Sequence, residues 1–125
     1  MILDINFNPE DWKKELWIAS KIDVGYDEEG NEIPIYDEPK PYIFNYQPVT
    51  SDSEIAEFGE KVKFMKRLVI PISYKDVFKS FDVAYLDGNT PTNETKNGEN
   101  ANYRLLPPRD GNAIITIYLE KLVGK

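Results

Sequence analysis

In a chain of 125 residues with no histidine and no cysteine, any chemistry has to come from carboxylates, hydroxyls, amines and amides. Imidazole bases, thiolate nucleophiles, Ser-His-Asp triads, disulfides and Cys/His zinc sites are excluded together. Carboxylates are abundant, with 22 Asp and Glu against 15 Lys and Arg. Two of them can work as acid and base only when held a few ångströms apart across a cleft, one with its pKa raised by burial. Asp82 with Asp87 and Glu54 with Glu57 are candidate pairs. Neither stands in a recognisable motif, and acids on strand and helix surfaces are ordinarily solvated. The expectation is no enzyme, no catalytic residue, no metal and no cofactor. Asp27, Glu28 and Glu29 ahead of Gly30 suggest a calcium loop, but the ligand spacing and the distant bidentate Glu of an EF-hand are missing, so they read as a hairpin tip.

Phosphate recognition has no better footing. The glycines at 25, 30, 59, 88, 98, 111 and 124 are single and scattered, and none opens a Gly-rich helix start. Lys61, Lys63, Lys66 and Arg67 interleave with Val62 and Phe64 as on barrels that bind single-stranded nucleic acid. On a strand with one core face these cations are instead the solvent side, and a net charge of -7 repels phosphate backbones. Tyr42, Tyr46 and Tyr103 would give a stand-alone β-module a face for a sugar or peptide. Asn93-Glu94-Thr95 has the form of a glycosylation sequon, but Met1 to Pro9 carries no secretory signal, so no modification and a cytoplasmic compartment are expected. No apolar run reaches membrane-spanning length.

The elements that must position these residues are mostly strands. Leu16, Ile18, Ser20, Ile22 and Val24 alternate with Trp17, Ala19, Lys21 and Asp23 over Glu15 to Val24, which predicts one strand with one apolar side. Asp27 to Asn31 is a turn with Gly30 supplying a positive φ, and Glu32 to Tyr36 returns as the second arm of a hairpin. Pro34 cannot donate to a ladder, so this arm lies at an edge, and Ile33, Pro34, Ile35 and Tyr36 form a candidate docking edge. Tyr42, Phe44 and Tyr46 share one side of a strand that Pro48 closes. Thr50 to Gly59 holds a short helical turn with a Ser51 to Glu54 capping box, its apolar positions being Ile55 and Phe58. Lys61 to Ser73 reads as the longest strand, ending near Pro71. Phe81 to Leu86 is a short strand, and Ala113 to Leu122 is the last, with Ile115, Ile117 and Leu119 facing inward. A helix over Asn8 to Leu16, with Pro9 at its first position, is weighed for the N-terminus.

Between Asp87 and Asn102 there is hardly an apolar side chain, which predicts a mobile polar loop. Its residues Asp87, Gly88, Asn89, Thr90, Asn93, Glu94, Lys96, Asn97, Gly98, Glu99 and Asn100 are candidates for a segment that orders against a neighbouring subunit. The chain is thus expected to be one mainly β domain, residues 1–125, with an extension at 1–14 and the loop at 87–102. The fold class is a small antiparallel β-barrel or sandwich of six to seven strands with one or two short helical turns.

Read in order, Asn45-Tyr46-Gln47-Pro48, then Phe58-Gly59-Glu60-Lys61-Val62, then Phe81-Asp82-Val83-Ala84-Tyr85-Leu86-Asp87-Gly88, then Ala101-Asn102-Tyr103 and Ile114 to Leu122 resemble the head-closure, or stopper, family of tailed bacteriophages. The similarity spans Trp17 to Leu122. It implies a head-tail connector in the virion, assembled in the host cytoplasm. It also implies a small β-barrel forming a cyclic ring, a hexamer or dodecamer, between portal or adaptor proteins and tail proteins, close to packaged double-stranded DNA and away from membranes. By position, the 87–102 loop corresponds to the family's channel-facing segment. The N-terminal segment Met1 to Asp11 departs from the family and keeps a tail-completion role open. The alternatives are a ligand-binding β-module for sugar, peptide or single-stranded nucleic acid, and a carboxylate-dependent hydrolase.

Overall fold

The structure is a computed structural model that describes residues 13–91 and 100–122. Its centre is a closed antiparallel barrel of six strands: β1 (Lys13–Ala19), β4 (Lys40–Pro48), β5 (Met65–Pro71), β6 (Val83–Tyr85), β7 (Tyr103–Leu105) and β9 (Ile114–Lys121). Around the wall the order is β5, β4, β1, β6, β7, β9, and β9 pairs back onto β5 from Met65↔Glu120 to Pro71↔Ile114. That last pairing closes the barrel and leaves its wall without a free edge. The two-residue β8 (Arg109–Asp110) adds to β9 outside the ring. A separate two-stranded sheet, β2 (Lys21–Tyr26) with β3 (Glu32–Tyr36), stands off the end of β1.

Period-2 patterning accounts for the interior. Leu16 and Ile18, Phe44 and Tyr46, Leu68 and Ile70, and Ile115, Ile117 and Leu119 project inward, joined by Ala84, Leu86, Tyr103, Leu105 and Phe78. Each fully buried aliphatic side chain contributes roughly 1.5–3 kcal/mol. Two smaller clusters sit outside the wall. Ala19, Val83, Tyr85 and Ala101 pack with Trp17, Tyr36 and Leu122 beneath the root of the hairpin. Val49, Met65 and Tyr118 pack with Phe58, Val62 and Leu106 beneath the helix. The mainly β class, the barrel and the inner face of the last strand agree with the sequence reading.

Three local readings are corrected. The strand predicted from Glu15 to Val24 is two, broken at Ser20, and its buried face stops at Ile18; Ile22 is 61% exposed. The break is fixed by the Asp82 carboxylate, which accepts the Lys21 amide at 2.9 Å and turns the chain off the wall. The strand expected from Lys61 begins only at Met65, because α1 (Asp52–Phe58) runs on into a 3-10 helix over Gly59–Phe64. Phe64 is accordingly exposed rather than core. The helix weighed for Asn8 to Leu16 is not formed where described, since Lys13 to Leu16 belong to β1 and the extension is shorter than 1–14; positions before 13 lie outside the described residues.

Candidate functional site

The hairpin β2–β3 is built by its own sequence. The Asp27 carboxylate accepts the amides of Glu29 and Asn31 at 2.9 and 2.8 Å, and Gly30 takes a φ of +84°, which a side chain would strain. The backbone amide of Asn31, foremost, holds the Asp27 carboxyl below its usual range. Register places Ile33 opposite Gly25 and Ile35 opposite Asp23. Gly25 lets these isoleucines close over the backbone: a Cβ there would lie 3.2 Å from Ile35 Cδ1. Ile33 and Ile35 are 42% and 39% exposed on that side, while Tyr26, 68% exposed, and Ile22 also face water. Pro34 pairs with Val24 on one side only, the edge position expected for it. Tyr36 turns back toward the barrel, half-buried beside Trp17 and Tyr85. Of the candidate docking edge, Ile33, Pro34 and Ile35 are therefore free at the surface and Tyr36 is part of the root.

Asp82 is the fastening of that root. It is 2% exposed and accepts two backbone amides, Lys21 and Lys79, both at 2.9 Å. Burial is the main influence on its carboxyl and raises its pKa, against the two amides and Lys79, which lower it. Next to it, Phe81 adopts a φ of +76°, uncommon for an aromatic residue, and exposes its ring to Lys21 and Arg104, whose cations lie 5.6 and 6.0 Å from the centroid. The reading of Asp82 as a solvated acid is overturned, and so is its pairing with Asp87. Asp87 sits beyond the other end of β6, where its amide donates to the Tyr46 hydroxyl at 3.1 Å.

The 87–102 segment is anchored more firmly at its ends than its composition suggests. Asp87 and Gly88 take positive φ values of 59° and 84° and turn the chain out of β6. The Asn89 side chain donates to the Asn100 carbonyl at 2.6 Å, and that of Asn100 donates to the Thr90 carbonyl at 3.0 Å. Asn102 accepts the Leu86 amide at 2.9 Å and donates to the Leu86 carbonyl at 3.1 Å, reproducing with a side chain the pairing a strand would make. Ala101 is fully buried. The expectation that Asp87 to Asn102 buries almost nothing is corrected at this end: three asparagines zip the stem. Asn93, Glu94, Lys96, Asn97, Gly98 and Glu99 lie outside the described residues.

Glu54 is buried rather than solvated, whereas Glu57 lies at the surface as expected, and each is held by an arginine. The Ser51–Glu54 capping box forms as expected, but it is Glu54, not Ile55, that the helix buries. Glu54 accepts from Arg67 Nη1 and Ser51 Oγ at 2.6 Å on Oε1, and from the Tyr118 hydroxyl at 2.6 Å on Oε2. Burial raises its pKa, and the hydrogen bonds from Arg67, Ser51 and Tyr118 outweigh it, holding the carboxyl down to about 2. Glu57 is forked by Arg109, whose guanidinium also lies 4.9 Å from the Tyr118 ring centroid and 5.5 Å from that of Phe58. Glu54 thus clamps α1 to the barrel wall through Arg67 and Tyr118, and Glu57 ties it to β8 through Arg109.

Two other sequence candidates dissolve. Tyr46 and Tyr103 are core residues and Tyr42 packs against Phe44, Tyr74 and Phe78, so the three form no exposed ligand face. Lys61 and Lys63 lie on the 3-10 helix instead of beside Lys66 and Arg67 on a strand, and Arg67 is committed to Glu54. Asp27, Glu28 and Glu29 are indeed the hairpin tip. A cleft of about 220 Å³ between Tyr74–Ser80 and Pro108–Asp110 carries Asp76, Lys79 and Asp110 over an apolar floor of Ile70, Ile115 and Ile117. Among the described residues no three acids are grouped to hold a metal ion, and no helix is long and apolar enough to cross a membrane.

No protein-family model matches the chain, and no curated protein matches it. The solution structure of protein SF1141 from Shigella flexneri 2a, a structural genomics target, is similar in fold, with a TM-score of 0.57 at 11% identity over 98% of this chain and 100% of that one. At that identity the likeness speaks to the fold alone.

Proposed function

We propose that the chain is a structural head-tail joining protein of a tailed bacteriophage, assembled as a ring that closes the DNA exit channel and offers the tail a docking surface. The observation that carries this reading is a closed barrel with an open-edged, apolar-faced hairpin outside its wall. Its buried acids serve as internal fastenings, and Ile22, Tyr26, Ile33 and Ile35 are the exposed apolar residues this arm offers for docking. The resemblance across Trp17 to Leu122 covers five of the six barrel strands and the end of β1, and supports the same role. An acidic surface, with a net charge of -7, suits a wall past which DNA slides without adhering. The asparagine-zipped 87–102 segment leaves the barrel at the end away from the hairpin, since Tyr85 of β6 pairs with Trp17 and Val83 with Ala19. It is the proposed channel-side element. The Tyr42, Tyr46 and Tyr103 face that a sugar- or peptide-binding module would need is taken up by the core.

The test is electron microscopy of phage particles with antibody raised against the purified chain. Label confined to the junction between head and tail is the expected result. Particles free of the protein, with the chain recovered only from the soluble host fraction, would overturn the proposal.

A further inference from the structure

Charge is not spread evenly over this molecule. Between Lys21 and Glu38 seven carboxylates, Asp23, Asp27, Glu28, Glu29, Glu32, Asp37 and Glu38, stand against Lys21 alone, a net charge of -6 out of -7 for the chain. All seven acids are exposed. They surround the apolar residues Ile22, Tyr26, Ile33 and Ile35, which are also exposed. The hairpin is therefore an acidic arm with apolar faces.

The matching surface lies on the same chain. On the 3-10 helix and the start of β5, Lys61 and Lys63 are exposed and Lys66 half-buried, around Phe64 with 59% of its side chain in water. None of the three lysines enters an ion pair among the described residues, whereas Arg67 and Arg109 nearby are consumed by Glu54 and Glu57. With exposed Glu60 on the same 3-10 helix, these residues carry a net charge of +2 next to an exposed aromatic ring.

The two surfaces cannot meet within one molecule. The hairpin leaves the wall beside Lys40, the first residue of β4, which pairs with Ile18 near the end of β1. The lysines gather at the other end of β4, where Pro48 pairs with Lys66. At ~3.3 Å per residue, Lys40 and Pro48 are about 26 Å apart along the strand. We infer that the acidic hairpin of one copy docks on the Lys61–Lys63–Phe64–Lys66 surface of a second copy of this chain, head to tail. The inference rests on the ring-forming reading above for its setting. A contact between two different surfaces of identical chains leaves each copy one vacant donor and one vacant acceptor surface, so it closes into a ring when the rotation per copy permits and otherwise extends as a filament. Opposite charge steers encounter and sets register, while Ile33 and Ile35, on one face of the hairpin, and Phe64 supply the apolar area.

Charge exchange tests this directly. One variant carries Glu28→Lys, Glu29→Lys and Glu32→Lys, a second Lys61→Glu, Lys63→Glu and Lys66→Glu, and a third all six. These positions lie at the surface, and circular dichroism checks that each barrel remains folded. Sedimentation velocity of the full chain at up to about 1 mM and about 50 mM salt, where exposed charges are weakly screened, reads self-association. The wild-type chain is expected to associate, and to lose at least tenfold in association constant at about 500 mM salt. Each single-surface variant is expected to lose at least tenfold at low salt. Because the three Glu→Lys changes bring the hairpin from a net -6 to 0, the six-site chain and an equimolar mixture of the first two variants are expected to associate more strongly than either single-surface variant alone, short of full recovery. A wild-type chain that stays monomeric throughout, or reversals that leave association unchanged, would overturn the inference. So would six-site and mixed samples that associate no more strongly than the single-surface variants. Absence from the head-tail junction with charge-exchange association intact would remove the phage role and leave this contact standing; junction label without it would do the reverse.

Discussion

Glu54→Gln isolates the largest single electrostatic contribution that the structure contains. The carboxylate is 6% exposed, so solvent screens it little, and three side chains donate to it: Arg67, Ser51 and Tyr118. Its pKa of about 2, against 4.5 for an ordinary glutamate, corresponds at ~1.36 kcal/mol per unit to about 3 kcal/mol of stability. The sign follows from the direction of the shift. A depressed carboxyl binds its proton more readily in the unfolded chain, so its contribution is complete above pH 4.5 and is lost as pH falls toward about 2. In the glutamine variant an amide NH2 replaces one acceptor oxygen and faces a donor, leaving Arg67 or Tyr118 without its partner. The expected loss at neutral pH is about 2–4 kcal/mol, a shift of roughly 1–2 M in the urea midpoint for a domain of this size. The gap between wild type and variant should narrow to below about 1 kcal/mol by pH 2, where the carboxyl is about half protonated in the folded chain and almost wholly protonated in the unfolded one. Urea titrations followed by circular dichroism at several pH values measure it. An unchanged midpoint at pH 7, or a gap that stays constant from pH 5 to pH 2, would refute the assignment of Glu54 as the charged clamp of α1.

Further expectations concern the core, the loop stem and the hairpin. Ile115→Ala, Ile117→Ala and Leu119→Ala each open a cavity in the barrel interior and are expected to lower the unfolding free energy by about 2–5 kcal/mol; near-neutral midpoints for all three would contradict the inward face of β9. Asn102→Ala leaves the Leu86 amide and carbonyl without their side-chain partner and should cost about 1–3 kcal/mol, whereas replacing residues 92–99 by two glycines should change stability by less than about 1 kcal/mol, both read by thermal unfolding. Gly30→Ala forces a side chain into a φ of +84° and is expected to cost about 1–2 kcal/mol in hairpin stability, visible as faster amide exchange over β2 and β3 with the barrel unaffected.

Period-2 patterning carried most of the fold into view: the Tyr42, Phe44 and Tyr46 face, the Ile115, Ile117 and Leu119 face, and the hairpin with its Gly30 turn are all legible from alternation and turn chemistry. It failed where a tertiary contact interrupts a pattern that locally continues. Alternation from Leu16 to Val24 is unbroken on paper, yet Asp82, 61 residues further along, captures the Lys21 amide and ends the strand. Val62, Phe64 and Lys66 alternate as a strand would, but the helix from Asp52 runs on as 3-10 turns through Phe64. Asp82 and Glu54 escaped notice for a related reason: a carboxylate is assigned to the surface on composition, and only the donors brought to it from 13, 61 and 64 residues away make its burial tolerable. Those partners have no local signature, although the capping box at Ser51 did mark where one of them would be.

The placement of the hairpin follows from what a closed barrel gives up. Once β9 pairs with β5, the wall has no edge strand left on which another chain could add. Any strand-pairing capacity has to be carried by something outside the ring, and the two-stranded sheet β2–β3, with its exposed isoleucines, has such an open edge. Such an arm is also a hazard, because an open apolar edge invites indiscriminate strand pairing. Seven exposed carboxylates on an arm of this length oppose that by mutual repulsion between arms. In the proposed contact the same charge would disfavour hairpin against hairpin and favour hairpin against lysine, selecting a directional over a symmetric arrangement.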